Sequence, residues 1–215
     1  MSNTLIVGNK ANFGGALNLR NEEPRVNTGA TVTFLNTTVS DNIATFLGPS
    51  FYNDTNTHIS IINSIVMDEI VARKTDGSPA STSYGTIDYN YSYVAGINPT
   101  DGAGNLGGTD PANTPLFVDR ANGDYRAESN SPSIDVGSNQ AYWDFFNVAL
   151  FTGNEAGWYG ERLNGSSIDM GATEFYPPEN DPTPDGNGIV YVTEWGSGIK
   201  VRSSGIYSYH ITVLV

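Results

Sequence analysis

Two aspartates, Asp41 and Asp68, stand 27 residues apart at equivalent places of a recurring pattern. Stacked on adjacent turns of chain, their carboxylates would repel unless protonated or bridged by a cation, and an all-oxygen pair suits calcium. The plainer alternative is two solvated corner residues, because the column breaks at Gly8. Calcium-assisted proton abstraction would also need a basic residue beside that pair. Arg20, Arg25, Arg73 and Lys74 fall in loops, and none recurs in register with the acids. Glycoside hydrolysis would need clustered carboxylates. Asp88 sits on a strand face with no acidic partner in the aligned copies. Histidine is scarce, with His58 at an outward strand position and His210 in the tail, which argues against a histidine triad. The rings of Tyr142, Trp143, Trp158 and Tyr159 are the candidate binding set, a platform on which sugar rings would stack. The favoured reading of the same rings is a plug for the end of the fold. No catalytic residue is assigned, and the balance leans away from an enzyme.

Composition narrows the classes further. The 215 residues carry a net charge of −13, which repels phosphate backbones and anionic lipid. Nucleic acid and membrane surfaces are therefore poor partners. Without cysteine there is no disulfide framework, thiolate zinc site or thiol nucleophile. No apolar run is long enough to span a bilayer, and no export signal follows Met1. Repeat material already starts at Asn3, so the chain reads as a fragment of a longer exported protein. Gly102 to Gly108 is glycine-rich but lacks the Lys-Ser/Thr of a phosphate loop, and reads as a plain loop.

The elements that would position these residues come from a repeat. Asn3-Thr4-Leu5-Ile6-Val7-Gly8-Asn9, Asn36-Thr37-Thr38-Val39-Ser40-Asp41-Asn42 and Asn63-Ser64-Ile65-Val66-Met67-Asp68-Glu69 begin alike. Steps of 33 and 27 residues separate them, a period that marks units burying their apolar faces against one another. Thr31 to Val39 aligns with His58 to Val66 without a gap, and Thr86 to Val94 is a third copy with Tyr91 at the asparagine position. Val32, Phe34, Ile59 and Ile61 alternate with polar residues, the signature of strands with one buried face. Gly14-Gly15-Ala16-Leu17 and Gly48-Pro49-Ser50-Phe51 match between the copies. Stacking such turns about 4.8 Å apart predicts a ladder of Asn3, Asn36 and Asn63, each amide bonding the next. The fold expected is all-β, a single-stranded parallel β-helix of few coils.

Two phrases, Phe13-Gly14-Gly15-Ala16-Leu17 and Asn36 to Asn42, resemble elements of bacterial surface proteins with right-handed parallel β-helix repeats, the polymorphic outer-membrane protein repeats among them. Pro115-Leu116-Phe117-Val118-Asp119, Asn122-Gly123-Asp124-Tyr125-Arg126, Ser131-Pro132-Ser133-Ile134-Asp135-Val136-Gly137 and Ile168-Asp169-Met170-Gly171-Ala172 look like their closing region. Gly157-Trp158-Tyr159-Gly160-Glu161-Arg162 departs from that pattern by lacking its aspartate, and an aromatic insertion, Tyr142 to Phe146, precedes it. The organisation expected is coils over 1–95, a loop-rich closing region over 96–176 folded on the last coil, and a proline-rich linker over 177–188. Residues 189–215 follow as a β tail or the start of a second β-helix domain.

The resemblance implies a secreted or cell-surface fragment acting as a rigid structural and adhesive surface. Its partners would be a glycan or a surface protein. A polysaccharide-processing lyase or glycosidase, or its carbohydrate-binding remnant, is the alternative. The uncapped first coil or the tail is expected to mediate self-association.

Overall fold

The computed structural model describes residues 1–19, 30–48, 50–53, 57–68, 86–96, 98, 100, 102–108, 110–146, 156–157, 160–161, 163–177, 192–195 and 198–201. The described chain is all-β with one short helix. Its first copy supplies β1 (Ser2–Val7), β2 (Lys10–Phe13) and β3 (Leu17–Leu19). The second supplies β4 (Thr31–Ser40), β5 (Ile43–Leu47) and β6 (Phe51–Asn53). Then come β7 (His58–Ile62) and β8 (Ile65–Val66), followed by β9 (Thr86–Asn90), β10 (Tyr93–Ala95) and β11 (Leu106–Gly108).

Every pairing within this set is parallel. A seven-stranded sheet joins β1 to β4, β4 to β7 and β8, β7 to β9, β8 to β10, and β10 to β11. Separate parallel pairs join β2 to β5 and β3 to β6. The registers follow the repeat read from the sequence. Thr31 lies opposite His58 and His58 opposite Thr86, while Phe34, Ile61 and Tyr89 share one column. Leu17 lies opposite Phe51, as the matched glycine segments require.

Period-2 alternation sends Phe34, Ile59, Ile61, Val39, Val66 and Val94 into one core, all of them fully buried. The Phe34 and Phe51 rings stack with centroids 5.0 Å apart. Each such side chain contributes about 1.5–3 kcal/mol on burial. Ile6, Leu17 and Leu19 of the first copy pack on this core but stay half-buried, because among the described residues β1, β2 and β3 each have a neighbour on one side only.

Corners explain the asparagines. Asn3, Asn36, Asn63 and Tyr91 have φ of 48, 47, 48 and 51°, and the equivalent Gly8 and Asp41 have 68 and 59°. This left-handed region costs most L-residues about 1–2 kcal/mol, and Gly, Asn and Asp tolerate it best. Asparagine therefore marks each corner for backbone reasons. Tyr91 is the one departure in its column.

The closing region begins with an antiparallel hairpin, β12 (Phe117–Asp119) and β13 (Asp124–Ala127), joined by a 3-10 turn over Arg120–Asn122. Asp119 accepts the Asn122 N–H and side-chain amide, and Gly123 closes the turn at φ 87°. The aromatic insertion is helical, α1 (Asn139–Phe146), a feature the sequence reading did not anticipate. Ser138 Oγ accepts the Ala141 N–H at its start, and the i, i+4 rings of Tyr142 and Phe146 meet at 4.9 Å. Two further antiparallel pairs are β14 (Ala156–Gly157) with β15 (Gly160–Glu161), and β16 (Val192–Trp195) with β17 (Gly198–Val201). Of the β tail expected over 189–215, the described residues are those of β16 and β17.

The closing region does not sit only on the last copy, as expected. It lies against the flank of the second and third. Asn36 Nδ2 donates to the Asp169 carbonyl at 3.2 Å, Gly171 N to the Asn63 carbonyl at 2.8 Å, and Ala172 N to Thr38 Oγ1 at 3.0 Å. Leu35 and Ile62 pack with Tyr142 and Ile168, and Ile65 and Tyr93 with Met170. The physical reason is the corner. On both sides of it, Leu35 and Ile62 before the asparagines and Ile65 and Tyr93 beyond the corner position, apolar side chains face away from the inner core and need a cover.

Candidate functional site

Three regions carry groups capable of recognition or chemistry: the corner ladders, the Asp41 cluster, and the outer face of β4, β7 and β9. The corner column holds a ladder, but its members are hydroxyls. Thr4, Thr37, Ser64 and Ser92 each donate a side-chain bond to the carbonyl two residues back, at 2.7, 3.1, 2.7 and 2.8 Å. Their oxygens then accept from the copy before: Thr37 N donates to Ser64 Oγ at 3.0 Å, and Ser64 N to Ser92 Oγ at 3.1 Å. Ser92 N ends the series on Asn105 Oδ1 at 3.1 Å.

The predicted Asn3–Asn36–Asn63 amide ladder is thus corrected. Asn63 exchanges two bonds with the Ser138 backbone, while Asn3 Oδ1 and Asn36 Oδ1 are buried and accept nothing. An amide ladder does exist one corner later. Asn9 Nδ2 donates to Asn42 Oδ1 at 2.9 Å, and Asn42 Nδ2 to Asp68 Oδ2 at 3.2 Å.

Asp41 and Asp68 are brought to one column, as the sequence required, but not as a cation cage. Arg120 grips Asp41 with Nε and Nη2 at 2.9 and 2.8 Å, and Tyr125 Oη and Ser40 Oγ donate at 2.7 and 2.9 Å. Asp68 instead receives the backbone N–H groups of Asp41 and Asn42 at 2.8 and 2.9 Å. The Arg120 bonds outweigh the upward push of burial and hold the Asp41 carboxyl at about 2. Burial, and the bond to Asp41, push the Tyr125 phenol up to about 12. The guanidinium supplies the positive charge that calcium would bring in the metal reading of the pair. Both Asp41 oxygens are occupied, and no group of three metal-ligating acids, histidines or cysteines forms among the described residues. The cluster works as a clamp between the β12–β13 turn and the sheet.

Arg120 and Tyr125 were not singled out as site residues, although Tyr125 lies in the quoted Gly-Asp-Tyr-Arg phrase. A motif that recurs in a closing region was the available signal for a docking role. Beside it, burial raises the Asp124 carboxyl, but the Arg126 bonds outweigh this and hold it below the usual range.

The aromatic candidates separate. Tyr142 is only 3 % exposed, packed against Leu35 and Ile168, so it cannot stack a sugar. Trp143 packs half-buried on the same cluster. Burial against the flank, rather than a plug at the fold's end, is the role of this pair. Trp158 and Tyr159 lie outside the described residues, as do Arg20, Arg25, Arg73, Lys74 and His210.

The outer face of β4, β7 and β9 carries Thr31, Thr33, His58, Ser60, Thr86 and Asp88 in register. His58 Nδ1 meets Thr86 Oγ1 at 2.6 Å, and its Nε2 lies 3.5 Å from Asp88 Oδ2. Asp88 therefore has a partner, a histidine rather than the second acid a glycosidase requires. No family model, curated protein or solved structure matches the chain.

Proposed function

We propose that this chain is a right-handed, single-stranded parallel β-helix of few coils, part of a bacterial cell-surface or secreted protein. It acts there as a rigid structural and adhesive surface, with a glycan or another surface protein as its partner. The observation that carries this reading is the in-register face of β4, β7 and β9, polar outside and fully apolar beneath. Neighbouring strands lie about 4.8 Å apart and same-face residues along a strand about 6.7 Å apart. Thr31, Thr33, His58, Ser60, Thr86 and Asp88 thus form a fixed grid of donors and acceptors. A grid held by stacked backbone needs little ordering when it binds, which suits weak, repeated contacts with sugar hydroxyls. The glycan contact belongs on this face rather than on Tyr142. The negative charge of the chain sets nucleic acid and anionic membrane aside as partners.

The test is a glycan and surface-protein panel read with the intact chain and with Ser60→Arg and His58→Ala variants. Binding that the two variants abolish, with folding intact, supports the reading. Failure to bind any member, or equal binding by the variants, overturns it. Depolymerisation of a polysaccharide in the same panel would favour the enzyme alternative.

A further inference from the structure

We infer that the edge formed by β1, β2 and β3, unpaired on its outer side among the described residues, is a docking edge for one more parallel rung. Its occupant is an extended strand of the chain's own repeat chemistry, Asn-Ser/Thr followed by a second Asn five residues after the hydroxyl. This rests on the stacked-rung reading above and deepens its account of partners.

The argument is the polarity of the ladders. In the hydroxyl column the backbone N–H of one copy donates to the hydroxyl oxygen of the next, while the Ser64 and Ser92 hydroxyls lie 3.5 and 3.4 Å from the Phe34 and Ile61 carbonyls of the copy before. In the amide column the same direction holds, with Asn9 donating to Asn42 and Asn42 to Asp68. The first copy therefore presents acceptors at its free edge. Thr4 Oγ1 has spent its proton on the Ser2 carbonyl, and Asn9 has turned its amide toward Asn42. Neither Thr4 Oγ1 nor Asn9 Oδ1 receives a bond among the described residues.

A preceding parallel rung fits this edge. Its hydroxyl-residue N–H would reach Thr4 Oγ1, and its second asparagine would donate to Asn9 Oδ1. Its apolar residues would cover Ile6, Leu17 and Leu19, which are half-buried where the equivalent Val39 and Phe51 are fully buried. A second copy of the edge packed antiparallel on the first would set acceptors against acceptors in both columns. At the other end the loop before β11 meets the last copy: Ala103 N donates to Asn90 Oδ1, Asn105 Nδ2 to the Tyr89 carbonyl, and Ser92 N ends the hydroxyl ladder on Asn105 Oδ1.

Residues 31–42 of the chain are a ready probe, because Asn36, Thr37 and Asn42 fall over Asn3, Thr4 and Asn9 in the observed register. A fluorescein-labelled peptide of that sequence is titrated with the intact chain by anisotropy. Saturable binding is expected, weakened about five- to tenfold by Thr37→Pro in the peptide, which lacks the N–H, or by Thr4→Val in the chain. No binding by the folded chain, or equal binding by a peptide of reversed sequence, overturns the inference. So does a chain dimer seen by light scattering that excludes the peptide. Retained glycan binding by a chain that ignores the peptide would remove this inference alone and leave the adhesive reading standing.

Discussion

Replacing Asp41 by asparagine removes one charge while leaving the corner intact, because asparagine accepts the φ of 59° found there. The carboxyl loses its bonds from Arg120, Tyr125 and Ser40 in their charged form. In the folded chain this group titrates near 2 instead of 3.8. A depressed acid stabilises the fold fully above its unfolded pKa and loses that stabilisation as pH falls through its folded one. The window is therefore roughly pH 4 down to pH 2. Undiminished, the drop would correspond to about 2.4 kcal/mol. The Asp41 and Arg120 side chains are 42 % and 36 % exposed, so solvent screens the pair and about 1 kcal/mol survives. In urea unfolding at pH 7, Asp41→Asn should lower the midpoint by about 0.5 M for a slope near 2 kcal/mol/M. Most of that difference should vanish at pH 2. Arg120→Met should cost about as much at pH 7, and the double variant scarcely more. A difference that persists unchanged at pH 2, or independent losses in the double variant, would refute the clamp.

Other perturbations test the ladders and the core. Ser64→Ala leaves the buried Thr37 N–H without its acceptor and should cost about 1–3 kcal/mol in urea unfolding, whereas Ser64→Thr, the type found in two other copies, should stay close to wild type. Phe34→Ala empties a fully buried site stacked on Phe51 and should cost about 3–5 kcal/mol, read as a fall in Tm. Gly171→Ala would place a methyl 2.7 Å from Thr38 Oγ1 at a φ of 95°; we expect a loss of about 2 kcal/mol or more and looser protection of the closing region in hydrogen exchange.

The gap-free alignment of Thr31–Val39 with His58–Val66 carried the sheet register, because a one-residue slip would have turned Phe34 and Ile61 into solvent. The matched glycines located Leu17 opposite Phe51 for the same reason. The ladder was misassigned to asparagine because one residue type answers two demands, a left-handed corner and an amide ladder; Asn3, Asn36 and Asn63 meet the first, and the Asn36 and Asn63 amides bond the closing region instead of one another. The neighbouring Thr and Ser were in plain view but carry no such strong type preference. Arg120 on Asp41 spans 79 residues, and no local pattern encodes that reach. The helix α1 was hidden by an aromatic run with no long amphipathic period, stabilised by packing on Leu35 and Ile168 rather than by propensity.

Backbone contacts between corner strands test the stacking most directly. Short proton–proton distances in the NMR spectrum of the isotopically labelled chain should link Thr38 to Ile65 and Ile65 to Tyr93 in parallel register. Contacts placing these strands antiparallel, or offset by one residue, would contradict it.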